Sequence, residues 1–177
     1  METRALHYLV CGPSGSGKST FAAALAEEHG ALFLEADLYP ADGLDLHGLA
    51  RAWQRFQEEH DPTPLAAELT ARAAADGAPF TVLALSGRHQ LGAAHAELGR
   101  GLLKTVFIYA NVHQCLESFL ARERRLGRHL GEKHWRAQGA VEFCRTLRTK
   151  PLQPYVLRAF DPKGHRREVR EMIREVG

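Results

Sequence analysis

Three cysteines in 177 residues are too few, and odd in number, for a disulfide framework. Cys11, Cys115 and Cys144 also lack the short paired spacing of a metal site. They fit free thiols in a reducing compartment. The ten histidines include no His-x-x-x-His pair, so the sequence offers no helical metal dyad, and surface or hydrogen-bonded roles are expected for most of them. No apolar run approaches the ~18 residues that a membrane helix requires, and the short apolar stretch after Met1–Arg4 is below the length of a secretion signal. A formal charge of +2 is too small to argue for nucleic acid. Repeats, low-complexity tracts and interdomain linkers are also missing. These absences predict one cytoplasmic domain spanning residues 1–177, with no membrane partner, as a monomer or homodimer.

What is present has the balance of a globular chain, with 45% apolar and 25% charged residues. Short apolar runs predict strands over Ala5–Val10, Ala31–Ala36, Phe80–Ser86 and Lys104–Ala110, and a weaker one over Tyr155–Phe160. Near-continuous apolarity in the first four implies burial on both faces, as in a parallel sheet covered by helices. Helical patterns lie between them: Lys18–His29, the Leu46, Leu49, Trp53 and Phe56 stripe, Pro64–Asp76 before Gly77, the Val112, Leu116 and Leu120 series, Glu132–Leu147 and His165–Val176. Trp53 and Phe56 read as core, and Cys11 as buried packing. The alternation predicts an α/β fold in three layers, with about five parallel strands.

The strongest motif is Gly12-Pro13-Ser14-Gly15-Ser16-Gly17-Lys18-Ser19, a Gly-x-x-x-x-Gly-Lys-Ser pattern between an expected strand and an expected helix. Small residues at Gly15 and Gly17 let successive amides converge on a phosphate, and the helix N-terminus adds its partial positive charge. Gly12, Ser14, Gly15, Ser16, Gly17, Lys18, Ser19 and Thr20 are the expected nucleotide contacts. Lys18 would reach the β- and γ-phosphates of ATP, and the Ser19 hydroxyl would ligate Mg²⁺. Two acids close the second strand, Glu35 and Asp37, and strand alternation puts them on one side. One could serve Mg²⁺ while the other takes a proton from an attacking hydroxyl. The third strand ends at Ser86, where many nucleotide hydrolases carry an aspartate, so the metal shell falls to the second strand.

In these residues the sequence resembles the small-molecule P-loop kinases, the group containing gluconate and shikimate kinases, with the gluconate kinase likeness the closer. The likeness runs through residues 12–19, Phe33-Leu34-Glu35-Ala36-Asp37-Leu38-Tyr39-Pro40, His60-Asp61-Pro62-Thr63-Pro64-Leu65, Ala78 to Ser86, Phe107-Ile108-Tyr109 and Glu117-Ser118. The resemblance implies a nucleoside-monophosphate-kinase-like P-loop fold, with Asp37 as the base or substrate-hydroxyl ligand and Glu35 assisting the metal. The sequence departs from the family at Tyr39, Asp61-Pro62 and Ser86-Gly87-Arg88-His89, all on the acceptor side.

Residues 122–129 read Arg-Glu-Arg-Arg-Leu-Gly-Arg-His. In kinases of this shape arginines on a mobile lid, here at about 122–133, neutralise charge on the transferred group. Arg124 and Arg128 are the expected contacts, and Gly127 and Gly131 the expected hinges. Tyr39 and Arg88 are the expected acceptor contacts, and the loop at 148–154 is expected beside the adenine. The function expected is transfer of the ATP γ-phosphoryl group to a hydroxyl of a small metabolite, with a sugar-acid-like acceptor favoured. Two alternatives stay open: a nucleoside, nucleotide or polynucleotide 5′-kinase, which would admit nucleic acid as a partner, and an ATP-binding accessory protein without transfer.

Overall fold

The computed structural model describes residues 6–36, 48–86 and 92–177. Five strands form one parallel sheet: β1 His7–Gly12, β2 Leu32–Ala36, β3 Thr81–Ser86, β4 Leu103–Tyr109 and β5 Val156–Arg158, in the order β2-β3-β1-β4-β5. Eight helices are described: α1 Lys18–His29, α2 Ala50–Glu58, α3 Thr63–Asp76, α4 Ala93–Leu98, α5 Val112–Arg125, α6 Glu132–Ala137, α7 Ala140–Thr146 and α8 Val169–Val176. A 3₁₀ turn at Lys150–Tyr155 leads into β5. None of the described helices is long and apolar enough to cross a membrane.

Strand β1 runs through the middle because every one of its residues is buried. Its pleat sends Tyr8 and Val10 into one core, with Phe21, Leu25, Ile108, Phe119 and Trp135. Leu9 and Cys11 enter the other core, with Trp53, Phe56, Leu69, Phe107 and Leu147. Two cores on opposite faces of one sheet are the three layers that the apolar runs predicted. The central position of β1 also carries its end, and the loop that follows, to the carboxyl edge where open α/β sheets bind ligands.

Three elements differ from expectation. The helix expected over Glu132–Leu147 is two helices, because Gly139 takes a left-handed conformation (φ 74°) that ends α6 and starts α7. The last helix begins at Val169 rather than His165. Asp161 Oδ1 instead accepts the backbone N–H of Lys163 and His165, at 2.8 and 2.9 Å, and folds that stretch into a turn. Helix α4 was not anticipated, being too short to show a helical period.

At the opposite edge of the sheet, His7 is fully buried and joins three elements. Its Nδ1 accepts the Thr81 N–H at 3.0 Å, so its proton sits on Nε2, which reaches Thr70 Oγ1 at 2.9 Å. That hydroxyl donates onward to the Ala66 carbonyl. Burial lowers the His7 pKa below 6.5, and protonating Nδ1 would set two donors face to face. Unfolded chains therefore bind more protons here, and stability from His7 is present above pH 6.5 and lost as pH falls below it. Replacing His7 with Ala should cost about 2–4 kcal/mol at neutral pH, through two orphaned partners and a small void. Denaturant unfolding at several pH values should show the difference between wild type and His7→Ala shrinking on acidification. A difference independent of pH would refute the neutral-histidine network.

Candidate nucleotide and phosphoryl-transfer site

The loop between β1 and α1 is shaped by what its glycines exclude. Gly15 and Gly17 have φ of 89° and 92°, which side-chain-bearing residues rarely adopt. A Cβ on Gly15 would stand 2.0 Å from the Cys115 carbonyl oxygen, so the loop is pressed against the first turn of α5. A Cβ on Gly12 would stand 2.6 Å from Ser16 Oγ and 2.8 Å from the Ile108 carbonyl oxygen. The turn is closed by the Ser16 N–H on the Pro13 carbonyl at 3.0 Å. No side chain caps the start of α1, and no acid lies in its first turn. Its leading amides therefore face the hollow with their partial positive charge.

Lys18 opens α1 and is only 4% exposed. Burial pulls its pKa down to about 8, Glu35 opposes that shift, and Arg122 adds to it. Cys11 beneath it is pushed up to about 12 by burial, against the pull of Lys18. Ser16 Oγ is buried with no hydrogen-bond partner among the described residues. A buried ammonium, an unpartnered hydroxyl and uncapped amides around one hollow form an electropositive cradle suited to phosphate.

The hollow, about 270 Å³, is bounded by residues 15–21 and by four arginines, Arg122, Arg125, Arg166 and Arg167. Ser19 and Thr20 face it from α1. Ser19 donates its hydroxyl to Glu35 Oε1 at 2.5 Å, which brings the two expected metal ligands to one point. A hydroxyl and a carboxylate are the hard oxygen donors that Mg²⁺ takes, so these residues fit the ion. A larger hollow of about 540 Å³ lies at the other end of the sheet, around Leu103–Val106, and shares no residue with this loop.

The structure thus brings together Gly15, Ser16, Gly17, Lys18, Ser19, Thr20 and Glu35. Gly12 and Ser14 shape the loop from behind. Asp37, Tyr39 and Arg88 lie outside the described residues. Arg124 is exposed and does not line the hollow. Arg128 is turned onto Glu123, its Nη2 donating to Oε1 at 2.9 Å and its Nε 2.9 Å from Oε2. The segment at 148–154 is not at the hollow; it runs into the 3₁₀ turn, whose Pro154 and Tyr155 border the larger cavity.

Several residues at the site were not anticipated. Arg122, one turn inside α5, stacks on Phe119 at 5.5 Å and lines the hollow. Arg166 comes from the β5–α8 loop. Its Nη2 donates to Ser118 Oγ at 3.1 Å, it lies 4.6 Å from the Phe160 ring centre, and a Cβ on Gly17 would stand 2.7 Å from its Nη1. The alternating charges of His165–Val176 resemble a solvated helix face, but the turn signature Asp161-Pro162-Lys163-Gly164 is the signal that its first arginines belong to a loop. Trp135 on α6 is fully buried, and its Nε1–H donates to the Ser14 carbonyl at 2.8 Å. The expected lid therefore rejoins the core by gripping the phosphate loop.

Three solved structures are similar to this chain. A candidate kinase from Chloroflexus aurantiacus J-10-fl aligns with a TM-score of 0.52 at 20% identity, over 99% of this chain and 97% of that one. A shikimate kinase from Acinetobacter baumannii, solved with shikimate, aligns at 0.50 and 20% identity, over 99% and 92%. A gluconokinase from Sinorhizobium meliloti 1021 aligns at 0.48 and 20% identity, over 99% and 91%. The first two show the fold, the three-layer P-loop fold. No curated protein matches the sequence. Residues 8–141, well over half of the chain, match the model of a family described as an AAA domain, and the chain belongs to that family.

Proposed function

We propose that the protein transfers the γ-phosphoryl group of ATP to a hydroxyl group of a small metabolite, a sugar-acid-like acceptor being favoured. The observation that carries this reading is the 2.5 Å contact between Ser19 and Glu35 beside the buried Lys18. It sets an oxygen pair for Mg²⁺ at the mouth of a phosphate cradle, on the strand that leads to Asp37. Bound there, Mg²⁺ would neutralise charge on the β- and γ-phosphates.

The amides of residues 15–19 and the Lys18 ammonium hold the phosphate chain. Arg122, Arg125 and Arg166 take the role first given to Arg124 and Arg128, meeting charge that spreads over the transferred group. Asp37, two residues beyond Glu35, accepts the proton of the acceptor hydroxyl as its oxygen bonds to the γ-phosphorus and ADP leaves. Tyr39 and Arg88 contact the acceptor.

Replacing Asp37 with Asn should lower the acceptor-dependent rate about 10²–10⁴-fold while ATP affinity, measured by calorimetry, stays unchanged. Lys18→Met should lose both. Parallel loss of ATP binding in Asp37→Asn would make Asp37 a structural residue. A panel of sugar acids, nucleosides and 5′-hydroxyl oligonucleotides identifies the acceptor class.

The depressed Lys18 pKa has a signature of its own. Between about 8 and the ordinary value of 10.5, the folded ligand-free chain has released a proton that the unfolded chain keeps. Its stability therefore rises with pH through that window. Triphosphate beside Lys18 restores the ammonium, so ATP binding just above pH 8 should take up a proton. Calorimetry in buffers of different ionisation enthalpy should detect the uptake in wild type and not in Lys18→Met. Equal proton balance in the two would remove Lys18 from phosphate contact.

A further inference from the structure

We propose that Cys115 and Cys144 are a peroxide-oxidisable pair whose disulfide weakens nucleotide binding at the P-loop. Their Sγ atoms are 3.9 Å apart across the seam between α5 and α7. A disulfide needs about 2.05 Å, so closure draws the two helices together by side-chain rotation and a small backbone shift. The pair encloses the whole expected lid, with Arg122 and Arg125 among the residues between the two cysteines.

The two sulfurs are not equivalent. Cys144 is 2% exposed and borders a surface hollow of about 300 Å³ that is also lined by Arg145, Arg148 and His113. That hollow offers a small oxidant a route to the Cys144 sulfur. Cys115 is fully buried, and its thiol donates to the Ala110 carbonyl at 3.6 Å. The Cys144 thiol in turn donates to the Cys115 sulfur, which aligns the two atoms that the cross-link joins. Cys144, the sulfur that borders the hollow, is thus oxidised first, and Cys115 is the resolving thiol.

The chemistry balances with hydrogen peroxide as the oxidant. The Cys144 thiolate attacks one peroxide oxygen, the O–O bond breaks, and hydroxide leaves, giving a sulfenic acid. The hydroxide takes the proton that Cys144 had released. The Cys115 sulfur then bonds to the Cys144 sulfur, the S–O bond breaks, and water leaves with the Cys115 proton. Two thiols and one peroxide become one disulfide and two waters.

The link to the nucleotide is the backbone of Cys115 itself. Its carbonyl oxygen occupies the space that a Cβ on Gly15 would need, so any shift of the first turn of α5 is felt directly by the phosphate loop. This coupling rests on the reading of that loop as an ATP site; the cross-link does not.

The test uses the full chain, freed of reductant and treated with stoichiometric hydrogen peroxide. Intact mass should fall by two hydrogen atoms, and non-reducing peptide mapping should show Cys115 joined to Cys144. ATP binding should weaken roughly tenfold, a size usual for coupled sites, and recover with dithiothreitol. Trypsin cleavage after the lid arginines, which needs no nucleotide, should slow in the oxidised form. Cys144→Ser should abolish all of these changes, and Cys11→Ser should leave them intact. A cross-link involving Cys11, oxygen addition without a cross-link, or a Cys115–Cys144 disulfide with ATP affinity and cleavage unchanged would each overturn the proposal. If the reduced protein bound no ATP, the nucleotide reading would fall, and the mass and cleavage results would decide the cysteine pair without it.

Discussion

The ligand end of this molecule depends on keeping the Lys18 ammonium out of water while leaving it able to meet an anion. Burial of a cation is costly, and here it brings the lysine pKa down to about 8. Glu35 offsets part of this, but Arg122 adds like charge, and Arg125 and Arg166 face the same hollow. A polyanion is the natural complement of these cations. Electrostatics therefore ties the cradle to its ligand, since filling it removes repulsion among several cations at once.

That cradle is held by contacts distant in sequence. Gly15 rests against the Cys115 carbonyl on α5, Ser14 is gripped by Trp135 on α6, and Gly17 lies under Arg166 from the β5–α8 loop. The loop conformation is thus set by three elements that also carry the cations or the lid. A displacement in any of them is a displacement of the phosphate site, which is why a thiol pair on α5 and α7 can reach it.

Much of this was legible in the sequence. The parallel sheet followed from near-continuous apolar runs, and the phosphate loop from its glycine spacing between strand and helix. Acids closing the second strand were expected at the ligand edge, and Glu35 does meet Ser19 there. The arginines were harder. Arg124 and Arg128 are as basic as Arg122, and their sequence spacing does not say which side of a helix end faces the loop; Glu123, buried below, claims Arg128. Arg166 was hidden because its alternating charges imitate a solvated helix, whereas Asp161 folds the stretch into a turn. Trp135 carried no signal at all, since a tryptophan in a helical pattern reads first as core, and its indole N–H contact spans 121 residues of separation.

The central claim is that the γ-phosphoryl group leaves ATP for an organic hydroxyl. The most direct measurement follows the label from γ-³²P-ATP in the presence of Mg²⁺ and a pooled metabolite extract, separating inorganic phosphate from acid-stable phosphate monoesters. The account predicts that label accumulates in a monoester, at a rate set by the acceptor pool. Label appearing only as inorganic phosphate, at a rate indifferent to any acceptor, would contradict it.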